Sequence, residues 1–310
     1  METATLTDTA RTWTLRLPRG RSLALGERTR VMGVLNLTPD SFSDGGSWLD
    51  PDRAVEHGLR MLTEGADLID LGAESTRPGG GVYGEGARAV AAEEESARLL
   101  PVLTALRAAT DAPLSVDTRK GEVAARALAA GADLINDVTG LSDPRLGEAV
   151  AAAGCPLVLM HSRGELATMQ RGIRFDDLLG EVCAELAEAM ARAEAAGVDA
   201  AQLVLDPGIG FGKTWEQNPE LIRRLDELNA LGRPLLLGAS RKSFLARVAA
   251  RAGTPDATPE RRLGGSLAAV AWAAARGTAL VRVHDVAETV QLLDVWYAIA
   301  GRPAQRETGA

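Results

Sequence analysis

The chain has 310 residues, 46% of them apolar and only 4% aromatic, with 33 glycines and a formal charge of −8 at pH 7. That charge disfavours nonspecific binding to nucleic acid or to an anionic membrane. The longest apolar stretch, LAAVAWAAA at 267–275, is far short of the roughly 20 residues that span a bilayer. No nucleic-acid or membrane partner is expected, and an anionic substrate must be held by a local cluster of basic groups.

The N-terminal METATLTDTAR has neither a basic n-region nor an apolar h-region, so export is not expected. Cys155 and Cys183 lie outside any CxxC or metal spacing and are read as two buried, reduced thiols of a cytoplasmic protein. Residues 1–11 and 302–310 are read as flexible tails. Residues 12–29, TWTLRLPRGRSLALGERT, alternate in polarity and turn at PRG, which predicts a β-hairpin placed before the first long apolar run.

Eight short apolar runs then recur: RVMGVLN (30–36), DLIDLGA (67–73), PLSVDT (113–118), DLINDVT (133–139), PLVLMH (156–161), LVLDPG (203–208), PLLLGAS (234–240) and ALVRVHD (279–285). Their continuous apolar character suits parallel strands buried on both faces. Between them lie Ala-, Glu-, Leu- and Arg-rich stretches of helical period. Asp50 before Pro51 and Asn218 before Pro219 read as helix N-caps, and glycines at the ends of helices precede several strands. Eight strands alternating with eight helices predict an α/β fold, a (β/α)8 TIM barrel with an N-terminal β-hairpin, in one domain. The hairpin is expected to plug the N-terminal mouth of the barrel. A doubly wound open sheet is the alternative.

In such a barrel the active site lies at the C-terminal ends of the strands, and every predicted strand has polar residues there. The residues at these ends are Asn36; Glu74, Ser75, Thr76 and Arg77; Asp117; Asn136 and Asp137; His161 with the apolar Met160; Asp206; Ser240, Arg241 and Lys242; and Arg282 and His284. Arg77, Lys242, Arg282 and His284 form the required basic cluster, with forks and an ammonium suited to phosphate oxygens. Asp117, Asn136 and Asp206 match the edge of a flat, nitrogen-rich heterocycle. The glycines of LDPGIGFGKTWEQNPE (205–220) fit neither GxxxxGK[ST] nor GxGxxG, so they are read as places of close backbone approach. Lys213 is read as a surface or loop-fixing cation, His161 as part of the structure of the site, and His57 as a solvated helix residue.

LNLTPDSFSDGG (35–46), ESTRPG (74–79), SVDT (115–118), INDVTG (135–140), LMH (159–161), LDPGIGFGK (205–213), GASRKSF (238–244) and RVHDV (282–286) together resemble the bacterial dihydropteroate synthases, over about residues 28–300. The resemblance implies one pterin-binding barrel domain and a transferase of folate biosynthesis. Such an enzyme condenses 6-hydroxymethyl-7,8-dihydropterin diphosphate with 4-aminobenzoate, releasing pyrophosphate, and is a sulfonamide target. It implies Asn36 as ligand of a Mg²⁺ cofactor, and Asp117, Asn136, Asp206 and Lys242 around the pterin, with Met160 against its ring. It further implies Thr76 at the pterin diphosphate, Arg282 and His284 at its phosphates, and Phe42, Arg77, Pro78, Phe211 and Ser243 around the aminobenzoate. Asp117, Lys242, Arg282 and His284 are the residues expected to act in catalysis, and a homodimer is usual in the family.

The segment LTPDSFSDGG is expected to be a lid over the site. The loop GGVYGEGARAVAA (80–92) is longer and richer in glycine than its family counterpart, which bears on loop dynamics and sulfonamide sensitivity. Two rival readings remain: a non-catalytic pterin-binding paralogue and a methyltetrahydrofolate:corrinoid methyltransferase.

Overall fold

The computed structural model describes residues 11–38, 50–75, 89–165, 168–250 and 257–302. The expected hairpin is present as β1 (Trp13–Leu17) and β2 (Arg21–Leu25), paired antiparallel from Trp13 opposite Leu25 to Leu17 opposite Arg21. Leu15, Leu17, Leu23 and Leu25 face one way and are buried against Met32, Leu68, Leu134, Val158, Val204, Leu236 and Leu280. Those partners lie near the starts of the barrel strands, so the hairpin closes the N-terminal mouth and shields apolar side chains that would otherwise face water.

The barrel begins with β3 (Arg30–Asn36), α1 (Pro51–Thr63), β4 (Leu68–Gly72), α2 (Ala92–Ala109), β5 (Leu114–Asp117) and α3 (Gly121–Ala129). It continues through β6 (Leu134–Asp137), α4 (Pro144–Ala153), β7 (Leu157–Met160), α5 (Leu178–Ala195), β8 (Leu203–Asp206) and α6 (Gln217–Arg223). β9 (Leu236–Leu237), α7 (Ser243–Ala249), α8 (Leu263–Ala275), β10 (Leu280–Val283) and α9 (Val286–Ile299) complete it. All sheet pairings are parallel in the order β8-β7-β6-β5-β4-β3-β10-β9, and a parallel bridge between Leu205 and Leu235 joins the two ends. The sheet is therefore closed, which removes the open-sheet alternative.

Eight helices were expected, and the described residues contain nine, because two of them, α7 and α8, follow β9. The expected strand 234–240 contracts to two residues, its edge toward β8 being held by the Leu205 N–H donating to the Pro234 carbonyl at 2.9 Å. Pro234 itself has no N–H to give to a ladder.

Local signals explain several helix ends. The Asp50 carboxylate accepts from the Asp52 N–H at the start of α1, as the Asp-Pro pair predicted. Gly65 and Gly131 adopt φ 104° and 111° where the two GADLI turns leave their helices, a conformation that penalises any side chain. The Asn-Pro expectation fails: Asn218 lies inside α6 and is buried. Thr214 and Gln217 exchange the reciprocal bonds of a capping box instead. The Thr214 N–H donates to Gln217 Oε1 at 2.9 Å, and the Gln217 N–H donates to Thr214 Oγ1 at 3.3 Å.

Cys155 is buried and Cys183 only partly so, and both are free thiols. Among the described residues no helix is long and apolar enough to cross a membrane.

Candidate active site

The strand register brings the predicted residues together. Asn36 lies opposite Gly72, Gly72 opposite Asp117, and Asp117 opposite Asn136, while Met160 lies opposite Asp206 across β7 and β8. Small residues keep this end of the barrel open: a Cβ on Gly72 would stand 3.7 Å from Asp117 Oδ2, and one on Gly238 would stand 3.6 Å from Asp206 Oδ2.

Arg282 reaches inward from β10. Its Nε donates to Asp70 Oδ2 at 2.6 Å and its Nη2 to Asp117 Oδ2 at 2.9 Å. Asn136 Nδ2 donates to the same Asp70 oxygen at 3.1 Å. Asp70 was absent from the predicted set. It sits inside DLIDLGA, one layer below the strand ends and fully buried, and a carboxylate in the middle of an otherwise apolar strand was the available signal.

Burial dominates the ionisation of the cluster. It pushes the Asp117 carboxyl up to about 7 against the pull of Arg282. It raises Asp206 to about 6, although the Gly208 N–H and Lys242 favour its charged form. Lys242 falls to about 8, first through burial and then through Arg282. His284 falls to about 3 for the same two reasons and is neutral at pH 7. It thus contributes a hydrogen-bonding ring, with Nδ1 3.0 Å from Ser240 Oγ, and adds no positive charge to the cluster.

The oxygens Asp117 Oδ1 and Asp70 Oδ1 are buried without a hydrogen-bond partner in the protein. A buried carboxylate oxygen left unpaired is costly, and Asp117 Oδ1 stands among the residues expected to hold the heterocycle. The Lys242 ammonium rests 4.1 Å above the Phe211 ring, a cation–π contact. Phe211, Met160, Val138 and Met169 form a separate buried apolar cluster beside it. Asn36 ends β3 partly exposed, and Ser243 opens α7. Phe42, Thr76, Arg77 and Pro78 lie outside the described residues, as do most of the expected lid and of the Gly-rich loop.

Other strand-end residues serve the scaffold. Glu74 binds Arg119 at 3.0 Å and Lys120 at 3.0 Å. The Asp137 carboxylate accepts from Thr139 N–H and Oγ1 at 2.9 and 2.7 Å. Arg241, held at φ 58°, pairs with Asp285. Lys213, read as a surface or loop-fixing cation, is the latter: it is buried, with Nζ 2.8 Å from His161 Nδ1.

Comparison with known proteins agrees with this geometry. The pterin binding enzyme family matches residues 32–284. The dihydropteroate synthase of Synechocystis is 44% identical over 281 residues, covering 90% of this chain and 93% of that protein. That of Escherichia coli K12 is 43% identical over 277 residues, covering 89% and 93%. The structure of Xanthomonas albilineans dihydropteroate synthase with 4-aminobenzoic acid superposes with a TM-score of 0.84 at 47% identity, over 94% of this chain and all of that one. The same enzyme in complex with 7,8-dihydropteroate gives 0.80 at 44%, again over 94% of this chain and all of that one. With a closed barrel, buried Asp117, Asn136 and Asp206 beside half-buried Lys242 at its C-terminal mouth and relatives of this identity over nearly the whole length, the chain belongs to the dihydropteroate synthase family of pterin-binding enzymes.

Proposed function

We infer that the chain condenses 6-hydroxymethyl-7,8-dihydropterin diphosphate with 4-aminobenzoate to 7,8-dihydropteroate and pyrophosphate. The observation that carries this reading is the convergence of Asp117, Asn136, Asp206 and Lys242 at the ends of β5, β6, β8 and the β9 loop, with Asp117 Oδ1 buried and unpaired. A dihydropterin edge offers N–H donors to the carboxylates and the amide, and a carbonyl to Lys242. Met160 gives the flat ring an apolar neighbour.

Breaking the bond between the pterin methylene carbon and the diphosphate oxygen leaves positive charge delocalised into the ring. Asp117 and Asp206 stabilise that charge from fixed positions, which lowers the barrier without reorganisation. The aminobenzoate nitrogen is neutral at pH 7 and attacks the methylene carbon. Its proton leaves to water after the C–N bond has formed, so the chain needs no strong general base. Positioning of the two substrates supplies much of the remaining acceleration.

Mg²⁺ fits the residues present. No group of three or more His, Cys, Asp or Glu is placed to hold a metal among the described residues, yet Mg²⁺ keeps most of its waters and needs few protein ligands. Asn36, a neutral amide at the barrel mouth, is the residue that would hold it. Held there, Mg²⁺ would supply positive charge to compensate the departing pyrophosphate. Arg282, reaching inward from β10, and His284 just beyond that strand would grip the phosphates, with Thr76 at the diphosphate. Phe42, Arg77, Pro78 and Ser243 would line the aminobenzoate side with Phe211.

A homodimer belongs to the same reading. Trp272, Val295 and Ile299 are 41%, 54% and 82% exposed on α8 and α9, an apolar strip suited to a second copy. Two unpaired cysteines suit a cytoplasmic protein. Complementation of a bacterial strain lacking its own synthase tests the function. Growth without added folate intermediates is expected, and failure despite good expression would favour a pterin-binding protein without turnover.

A further inference from the structure

The loop that carries Phe211 is fastened from one side by a buried polar chain. Lys213 Nζ lies 2.8 Å from His161 Nδ1 and donates to the Phe211 carbonyl at 3.0 Å. His161 Nε2 is 3.0 Å from Glu185 Oε2 on α5. Because the ionised Glu185 carboxylate, held down to about 2 by His161 and Arg163, can only accept, His161 carries its proton on Nε2 and accepts the Lys213 N–H at Nδ1. Burial and Lys213 push the His161 ring down to about 4, so it is neutral at pH 7 and this tautomer is fixed. Either protonation state of Lys213 has the two N–H groups these bonds require.

Backbone contact completes the fastening. A Cβ on Gly208 would fall 1.8 Å from the His161 carbonyl oxygen, and one on Gly212 would fall 2.8 Å from that of Arg163. Gly210 is held on both sides, its carbonyl accepting from Gln170 Nε2 at 2.6 Å and its N–H donating to Asn218 Oδ1 at 2.6 Å. Arg163 secures the outer end, donating to Glu181 at 2.8 Å and lying 3.9 Å over the Phe175 ring. An apolar filling of the same volume would avoid desolvating Lys213, but it would not fix the loop at one register.

We propose that Lys213, His161 and Glu185 are positioning residues that hold Phe211 as a preformed wall for the aminobenzoate. The proposal rests on the functional reading above. Asp117 and Asn136 are set by β5 and β6 and have no bond to this clamp, and Asp206 is set by β8 with the Gly208 N–H on its carboxylate at 2.7 Å, whereas Phe211 stands on a loop whose order the clamp maintains. Loosening it therefore transfers the cost of ordering the wall to the binding of the second substrate.

Lys213→Met keeps the length of the side chain and removes both bonds. We expect the KM for 4-aminobenzoate to rise about tenfold, with kcat and the Kd for the pterin diphosphate within about threefold of the parent. In a Phe211→Ala background the same change should add less than about twofold, since coupled residues are not additive. Glu185→Leu, at the half-exposed end, should reproduce the rise, and Glu185→Gln, which keeps an acceptor for His161, should restore the parent value. These two variants carry the test if Lys213→Met does not fold. An unchanged KM, equal loss for both substrates, or full additivity with Phe211→Ala would overturn the proposal. Absence of pyrophosphate release from the unaltered protein would instead overturn the functional reading.

Discussion

Arg282 is the hinge of the site's electrostatics, and its replacement by methionine has a calculable consequence. The guanidinium is 21% exposed and bridges Asp70, fully buried, and Asp117, 7% exposed. Removing one partner of a buried ion pair costs about 3–5 kcal/mol, because the remaining charge is left in a poor solvent. For a domain of this size that corresponds to a fall in Tm of roughly 10 °C.

The loss depends on pH with a definite sign. Burial already holds the Asp117 carboxyl at about 7, above its ordinary 3.8, and Arg282 is the strongest influence acting against that rise. Without Arg282 the folded-state pKa climbs further. A carboxyl raised in the folded state loses stability as pH increases between its unfolded and folded values, so the deficit of Arg282→Met grows from pH 5 to pH 8. Urea denaturation of parent and variant at both pH values measures it, and Arg282→Met combined with Asp70→Asn should recover part of the deficit. A loss below about 1 kcal/mol at pH 8, or one that shrinks with rising pH, would refute this reasoning.

Other consequences are as direct. Gly208→Ala places a Cβ 1.8 Å from the His161 oxygen at φ 69°, and should destabilise by about 3 kcal/mol or more, visible as a lowered Tm and reduced turnover. Leu15→Ala, in the hairpin plug, should cost about 2–5 kcal/mol and leave kcat unchanged, because the plug lies at the opposite end of the barrel from the chemistry. Calorimetry should find the pterin diphosphate bound more weakly as pH falls below about 7, since Asp117 and then Asp206, at about 7 and about 6, each lose an acceptor on protonation; the limit is about tenfold per pH unit for each carboxyl.

Much of the fold is legible in the residues, and the exceptions have physical causes. RVMGVLN coincides with β3 because both of its faces are buried and Asn36 ends it. The run at 234–240 reads equally well as a strand, yet only Leu236 and Leu237 pair as one. Asn218 imitates a helix cap in sequence. Its side chain instead joins Gly210 to Thr214, a partnership set by how the preceding loop folds back. Asp70 escapes a reading of strand ends because its meaning depends on Arg282, 212 residues away. The strand-end residues Asp117, Asn136, Asp206 and Lys242 are legible because one rule of barrel geometry locates them all. His161 and Lys213 read as structural and are so, but their contact belongs to two loops that no local pattern connects.

This barrel mouth joins a pterin methylene to an aryl amine with loss of pyrophosphate. Pyrophosphate release from purified protein supplied with 6-hydroxymethyl-7,8-dihydropterin diphosphate, 4-aminobenzoate and Mg²⁺ tests it most directly. Release is expected in step with formation of 7,8-dihydropteroate, at only a background rate without aminobenzoate, and severely reduced in Lys242→Ala. Pyrophosphate release that ignores aminobenzoate would rule out this condensation, and near-normal turnover by Lys242→Ala would rule out the role of Lys242 in it.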